Sequence, residues 1–344
     1  MRRRTFLTLA TSVMGSTALN HRLQAEAIPE RPQSSRPRPE PANVWRTAAP
    51  VPITTQEIYP AVHQGKLIVA GGIAPRLGVP YFTRAVFAYD ADSDTWSRLP
   101  DLPEALHHVA LVSTGEELWA MGGFHGAVTH IWKMRDNVYR LRNDRWETLP
   151  PLPGPQAEGV ATFHSGTIHI VTGQQPRGTA NRKRSDHQEM RLHWYWDGTG
   201  WDSLAPLPTP RNSATGGWID NQLVVAGGRT SAGNLSTNEI YDAKEDRWRR
   251  ASPMPLPQAG TASVVHNGSL LVFGGEIFSP EPAVFPNVWR YQLETDRWEA
   301  MPDMLTPRHG LGAGLIGNQA FVVGGARRPS GEDTSNVNEV LDLG

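Results

Sequence analysis

The chain has 344 residues, a formal net charge of −1 at neutral pH and no cysteine. The balance of acidic and basic residues gives no overall positive field, which argues against a nucleic acid partner. The absence of cysteine excludes disulfides, thiolate nucleophiles and cysteine-ligated metal centres. With 33 glycines and 29 prolines, the composition favours tight turns and an all-β fold over long helices.

Residues 1–27 are expected to be an export signal. Arg2, Arg3 and Arg4 precede a mildly apolar run, and Ala25 and Ala27 offer a cleavage site. The segment resembles a twin-arginine signal peptide, with cleavage after Ala18 left open as the alternative to cleavage after Ala27. No other segment is apolar enough to span a membrane. We therefore expect a periplasmic or secreted protein, monomeric and without a membrane span.

The proline-rich segment 28–42 is expected to be an extended linker, because it has little apolar surface to bury. Residues 43–344 then form the folded domain. Within them, tryptophan recurs about every 50 residues, and a glycine follows each tryptophan by 27 residues. The six tryptophans are Trp45, Trp96, Trp146, Trp201, Trp248 and Trp298. A constant offset in six units indicates an internal repeat.

Each unit is expected to supply four short strands. Runs such as Leu223-Val224-Val225-Ala226 are β-branched and bounded by turn residues, which is typical of buried strands. One strand precedes a Gly or Asn turn, one ends at the Gly-Gly pair, one surrounds a tyrosine and one carries the tryptophan. Four-stranded units of about 50 residues are the blades of a β-propeller.

The hydrophobic run before Gly-Gly, the Tyr-Asp pair (Tyr89-Asp90, Tyr241-Asp242) and the spaced tryptophan resemble the kelch repeat family. The resemblance covers residues 43–344 and implies an all-β, six-bladed kelch propeller. The last unit ends after Asn338-Glu339-Val340-Leu341-Asp342 without a tryptophan strand. We expect the strand around Trp45 to complete that unit and close the ring.

The loops that follow Gly-Gly and the links between units should emerge on one face, and functional residues are sought there. Each link ends in a column of polar residues ten to twelve positions after its tryptophan. The predicted catalytic residues are Glu57, Glu158, His107 and His108. The predicted ligand-binding residues are Arg211, Asn212, Arg229, Gln258, Glu276, Arg308 and His309. The alternative is that these side chains only hydrogen-bond loops and line a wet channel.

We expect Arg211 and Arg308 to anchor an anionic group, and Glu57 and Glu158 to carry protons with a histidine as the complementary acid. No metal-ligand spacing is present, and no cofactor is expected. The basic segment 176–193 either binds an anionic partner or is a solvated loop. A copper-radical oxidase similar to galactose oxidase is excluded, because it needs a cysteine cross-linked to tyrosine.

Two function classes remain open. Six-bladed exported kelch proteins include bacterial N-acetylneuraminate mutarotases, which the chain resembles in fold, length and compartment. That resemblance implies a sugar isomerase in which an acid and a base act on the anomeric centre. The alternative is a scaffold that binds glycans or proteins without turnover. The partner is thus a small sugar or carboxylate ligand, or a protein.

Overall fold

The computed structural model describes residues 43–75, 79, 81–126 and 131–344. The predicted export signal (1–27) and linker (28–42) lie outside these residues, so both stay predictions. In the described part, helical structure is confined to two short 3-10 turns at Arg184–Asp186 and Pro329–Gly331. No described helix is long and apolar enough to cross a membrane. The prediction of an all-β chain is confirmed.

The described residues form six four-stranded antiparallel sheets, numbered here in chain order. Sheet 1 contains Ala61–His63, Lys66–Ala70, Val86–Asp90 and Thr95–Leu99. Sheet 2 contains Ala110–Ser113, Leu118–Met121, Val138–Arg142 and Arg145–Thr148. Sheet 3 contains Val160–His164, Thr167–Val171, His193–Trp196 and Trp201–Ser203.

The remaining three sheets repeat this order. Sheet 4 contains Thr215–Ile219, Gln222–Ala226, Asn238–Asp242 and Arg247–Ala251. Sheet 5 contains Ala262–His266, Ser269–Phe273, Val288–Gln292 and Arg297–Met301. Sheet 6 contains Gly312–Ile316, Gln319–Val323, Asn338–Asp342 and Trp45–Thr47. Its outer strand is thus drawn from the other end of the described chain, with Trp45 opposite Leu341.

The loops between the second and third strands carry short additional strands. They are Phe124–His125, Lys133–Met134, Gln174–Pro176, His187–Glu189, Arg229–Thr230, Gly233–Asn234, Glu276–Ile277 and Ala283–Val284. One further short strand, Leu106–His107, lies in the link between sheets 1 and 2 and pairs with Phe124–His125. Segment 176–193, predicted as a basic loop, therefore contains ordered strand pairing between Gln174–Pro176 and His187–Glu189. This pairing fixes the intervening 3-10 turn, and with it Arg184, beside the loops of neighbouring sheets.

Hydrophobic clusters lie between successive sheets. The cluster between sheets 6 and 1 contains Val69, Tyr89, Phe321 and Val340, each at most 2% exposed. The first strand of each sheet contacts the first strand of the next, and Gly312–Ile316 of sheet 6 contacts the first strand of sheet 1. The arrangement of the described sheets is consistent with a kelch propeller.

The repeated tyrosine, aspartate and tryptophan have a structural explanation. The Tyr89 hydroxyl donates to Asp94 Oδ1 at 2.6 Å, and the same oxygen accepts from the Ala49 amide at 2.7 Å. The Trp96 indole donates to the Ala49 carbonyl at 2.8 Å. Tyr241, Asp246 and Trp248 fasten sheet 4 to Ala205 in the same way. In sheets 1 and 4 these residues therefore hold the outer hairpin to the link that precedes it, whereas in sheet 2 the Tyr139 hydroxyl donates to Glu104.

The Gly-Gly pairs are required by close backbone approach. Gly71 and Gly72 have φ of 64° and 102°, which non-glycine residues adopt at a cost. A Cβ at Gly71 would clash with the carbonyl oxygen of Leu106, which accepts from the Gly72 amide at 2.8 Å. The end of the second strand is thereby bonded to the next link.

Candidate functional site

Six residues, each twelve positions after a repeat tryptophan, form what we call the belt. All six have left-handed backbone angles, with φ between 51° and 65°. The belt residues are Glu57, His108, Glu158, Ser213, Gly260 and Gly310. Backbone hydrogen bonds connect successive belt residues. The His108 amide donates to the Glu57 carbonyl oxygen at 2.8 Å, and the Ser213 amide donates to the Glu158 carbonyl oxygen at 3.0 Å. The Glu57 amide donates to Gly310 at 2.7 Å, which links sheets 1 and 6.

Four belt positions keep a side chain where two units have glycine. A non-glycine residue in the left-handed region costs roughly 1 to 2 kcal/mol, and such strain is concentrated at functional sites. Gly260 and Gly310 adopt the same left-handed backbone conformation, so the turn does not itself require the side chains of Glu57, His108 or Glu158. The retained side chains are therefore candidates for function.

A carboxylate and imidazole group occupies one side of the belt. His108 Nε2 lies 2.9 Å from Glu57 Oε2 and 3.7 Å from Glu158 Oε1. His107 Nε2 lies 2.6 Å from the Ile131 carbonyl oxygen and must donate to it, which leaves His107 Nδ1 to accept from His108 Nδ1 at 2.7 Å. Both ring nitrogens of His108 then face acceptors, and the ring lies between the two carboxylates.

The surroundings keep both carboxylates ionised. Burial would raise the pKa of Glu57, but attraction from His108, a hydrogen bond from it, and His309 and Arg229 together hold the pKa well below 4.5. Burial likewise opposes ionisation of Glu158, yet His108, Arg184 and Arg229 lower its pKa to about 2. Glu57 and Glu158 therefore lie together, as expected, but not as groups that titrate near neutral pH.

Burial acts in the opposite sense on His107. Desolvation, with repulsion from His108, lowers the pKa of His107 to about 3. Its ring is fully buried and stacks against Phe82 at 5.2 Å. His107 is neutral at neutral pH and serves to orient His108, in place of the acid role that the sequence suggested.

The other side of the belt is an arginine and glutamate pair. Arg229 Nη1 lies 2.8 Å from Glu276 Oε1, and His309 Nδ1 lies 3.3 Å from the same oxygen. Asn212 Oδ1 accepts from Arg229 Nε at 3.3 Å. Arg229 Nη2 also lies 3.8 Å from Glu158 Oε2, which joins the two sides of the belt. The structure thus brings these four predicted ligand-binding residues to the cluster of Glu57, His108 and Glu158.

Arg211, Arg308 and Gln258 were also predicted to bind a ligand, but the structure places all three away from this cluster. Both guanidinium groups are fully buried and pair with Glu239 at 2.6 Å and Glu339 at 3.0 Å. Gln258 Nε2 donates to the Gly274 carbonyl at 2.7 Å, and Arg308 Nη1 donates to the Gly324 carbonyl at 2.8 Å. The first residue of each column points between strands, so these three side chains support packing instead of anchoring a ligand.

A cavity of about 710 Å³ lies beside the belt. Sequence reasoning found Glu57, Glu276 and His309 in its lining but missed the apolar wall. That wall is formed by Ile73, Pro75, Phe82, Ile131, Trp132 and Phe278. The remaining described lining residues are Gln56, Arg184, Ser330, Gly331, Glu332 and Asp333. The only sequence signal for the missed residues was their position in the loops that follow each Gly-Gly pair.

The described fold of repeated four-stranded sheets is consistent with kelch repeats, and comparisons with known proteins support this. The family model described as Kelch motif matches residues 60–103, 210–255 and 259–305. These segments cover sheets 1, 4 and 5 with the links beside them. The chain thus carries kelch repeats, as the sequence resemblance predicted.

Similar curated proteins bear kelch names. Kelch-like protein terF of Aspergillus terreus is 28% identical over 286 residues, 78% of this chain and 61% of that protein. Human Kelch-like protein 23 is 23% identical over 280 residues, 80% of this chain and 47% of that protein. Human Kelch repeat and BTB domain-containing protein 12 is 27% identical over 201 residues, 54% of this chain and 32% of that protein. The chain spans about a third to three fifths of the length of these relatives.

Proposed function

We propose that this chain is a binding module that holds a protein partner on the face of the belt, without turnover. The observation that carries the proposal is the cavity of about 710 Å³, which is lined by loops of sheets 1, 2, 3, 5 and 6. Clefts of this size with apolar walls and a few convergent polar groups are typical binding sites. Similarity to kelch-like proteins favours a protein partner.

The proposal includes a six-bladed propeller closed by the strand Trp45–Thr47. Support comes from the first strands, which contact one another from sheet to sheet and from sheet 6 back to sheet 1. A small cavity of about 100 Å³ is lined by residues of all six units, from Ile58 to Ala313. Such a ring would bring loops that are distant in sequence to one rim, as a composite binding face requires.

The rim of the cavity favours a protein partner over a free sugar. Tyr81 is 50% exposed, Val79 is 52% exposed and Phe278 is 37% exposed, and all three lie in loops that follow Gly-Gly pairs. Exposed apolar side chains around a pocket are typical of protein interaction sites. A sugar isomerase, in contrast, would need an acid and a base that titrate near the working pH. The low pKa values of Glu57, Glu158 and His107 do not supply that pair.

The test is a peptide-display selection on the immobilised protein, followed by affinity measurements on variants. Tyr81→Asp and Phe278→Asp place a charge on exposed positions of the rim and should leave the fold intact. Lys244→Asp, an exposed site in the outer hairpin turn of sheet 4, is the matched control. We expect the rim variants to weaken enriched peptides by at least about tenfold, since each buries a charge in an apolar contact.

Two outcomes would contradict the proposal. One is the absence of enriched peptides, or peptides that bind the rim variants and the control equally. The other comes from exchange NMR of sialic acid and common sugars in the presence of the protein. Accelerated anomer exchange that is lost in Glu158→Gln would replace the binding module with the sugar isomerase.

A further inference from the structure

We propose that the cavity beside the belt accepts a positively charged side chain, a lysine or an arginine, of the partner protein. This inference rests on the proposed function and specifies the chemistry of the group that enters. It follows from the charge of the lining, an unpaired buried oxygen on its wall, and the apolar surface between them.

The charged groups of the lining are mainly carboxylates. Glu57, Glu276, Glu332 and Asp333 line the cavity, and the guanidinium among its described lining residues is that of Arg184. Glu57 is the belt carboxylate whose side chain keeps some exposure, at 14%, whereas the side chain of Glu158 is fully buried. An ionised carboxylate only accepts hydrogen bonds, so a polar group that enters beside Glu57 and Glu332 must be a donor to bond with them.

Gln56 gives an independent observation. Its residue is 2% exposed, and its Nε2 donates to the Gly331 carbonyl and to Thr334 Oγ1, both at 2.7 Å. These two bonds fix the amide so that Oε1 is the free end, and that oxygen has no hydrogen-bond partner among the described residues. A buried unpaired carbonyl oxygen costs free energy until a donor reaches it. An ammonium or guanidinium group brings such donors, and an anion brings none.

The walls suit the alkyl stem of a long cationic side chain. Phe82, Trp132 and Phe278 line the cavity, and methylene groups pack on aromatic surface while the charged end stays solvated or paired. The protein already uses this chemistry within its own chain. The Arg184 guanidinium lies 4.4 Å from the centre of the Trp132 ring, with Nη2 3.4 Å from Glu158. That of Arg229 lies 5.2 Å from the Phe278 ring.

Three arginines near the cavity already have partners within the chain. Arg229 is paired with Glu276 at 2.8 Å, and Arg327 is paired with Asp333 at 2.8 Å. Arg184 lies between Trp132 and Glu158 as described above. An incoming carboxylate would displace one of these pairs and would meet Glu57 on the cavity floor. An incoming cation meets Glu57, Gln56 and Glu332 without breaking any of these pairs.

The experiment uses capped tripeptides of the form acetyl-Ala-X-Ala-amide, with X as arginine, lysine, citrulline or glutamate. Binding to the full chain is measured by ligand-observed NMR and by tryptophan fluorescence at low ionic strength. We expect the arginine or lysine peptide to bind about tenfold more tightly than the citrulline and glutamate peptides, because a charge-assisted hydrogen bond separates them. Affinity should fall with added salt.

Variants then locate the contact. Glu57→Gln should reduce the affinity for the cationic peptide about tenfold, and Glu332→Gln, at an exposed position, should reduce it by a smaller factor without risk to the fold. Glu294→Gln, an exposed carboxylate in the outer hairpin turn of sheet 5, is the control and should leave affinity unchanged.

Equal affinity for arginine and citrulline, tighter binding of glutamate, or an equal loss in the Glu294 control would overturn the inference. Different outcomes decide the proposed function. If selected peptides need Tyr81 and Phe278 but contain no essential cation, the cationic pocket is wrong and the binding module stands. If no peptide requires the rim, the proposed function fails as well.

Discussion

The backbone amide of Glu57 donates to the carbonyl oxygen of Gly310 at 2.7 Å, which joins the first link of the described chain to the last. The strand around Trp45 joins sheet 6 to sheet 5 instead, because its indole nitrogen donates to the Pro302 carbonyl at 2.9 Å and its ring meets Phe273 of sheet 5 edge-on at 6.1 Å. The belt thus connects sheets 6 and 1, and the Trp45 strand packs sheet 6 against sheet 5.

Removal of the Trp45 strand should weaken sheet 6 and its packing against sheet 5. We compare a chain that begins at residue 43 with one that begins at residue 49. Loss of a packed tryptophan and of a strand pairing should lower the melting temperature by roughly 5 °C or more in a chain of this size. A synthetic peptide of residues 43–48 should restore part of the loss. Identical melting temperatures would show that the strand does not close the fold.

The belt makes a prediction about backbone strain at Ser213, whose φ is 51°. Ser213→Ala and Ser213→Gly both remove the hydroxyl group that donates to Glu158, so they differ mainly in backbone freedom. The glycine variant should be more stable by about 1 kcal/mol, because only glycine adopts this conformation without strain. Chemical denaturation of the pair checks this. A more stable alanine variant would remove the strain argument for the belt.

Arg211 is predicted to stabilise the fold by pairing with a residue of the third strand of its sheet. In sheet 5, Gln258 occupies the corresponding position and makes a different pair. Where sheet 4 has Arg211 bonded to Glu239, sheet 5 has Gln258 accepting from the Trp289 indole at 2.8 Å. Arg211→Gln leaves the Glu239 carboxylate buried without its partner and should cost about 3 to 5 kcal/mol. Adding Glu239→Trp recreates the sheet 5 pair and should recover much of that loss. If the double variant recovers no stability, the Arg211–Glu239 pair and the Gln258–Trp289 pair are not equivalent.

Stability should fall on acidification because buried histidines are held neutral. Burial, with repulsion from His164, lowers the pKa of His169 to about 4, and burial, with repulsion from His169, lowers that of His193 to about 3. Between about pH 6.5 and these values the unfolded chain binds protons that the folded chain does not. Each group therefore removes up to about 1.4 kcal/mol of unfolding free energy per pH unit as the pH falls through that window.

The matched variant for this prediction is His193→Asn, since sheet 4 has Asn238 at the corresponding strand position. Urea unfolding at pH 7, 5.5 and 4.5 should show a shallower decline for this variant than for the parent chain. Parallel declines would mean that His193 does not contribute to the acid sensitivity.

The sequence determined the all-β class, the strand order and the polar columns of this protein, because each of these features depends on residues that repeat at fixed spacing along the chain. A buried strand before Gly-Gly, a tyrosine, an aspartate and a tryptophan recur at fixed offsets, and in sheets 1, 4 and 5 the last three make the same contacts. Asp94 and Trp96, for example, bond the same residue, Ala49. The column that contains Glu57 was therefore found from spacing alone.

Only the tertiary structure decided which member of a column faces the cavity. The left-handed turn at the belt directs Arg211 and Arg308 between strands, while Asn212 and His309 reach the cluster one residue later. Phe82, Trp132 and Phe278 meet there because loops of different sheets converge on one rim. Such neighbours depend on how distant units pack together, which no local spacing encodes.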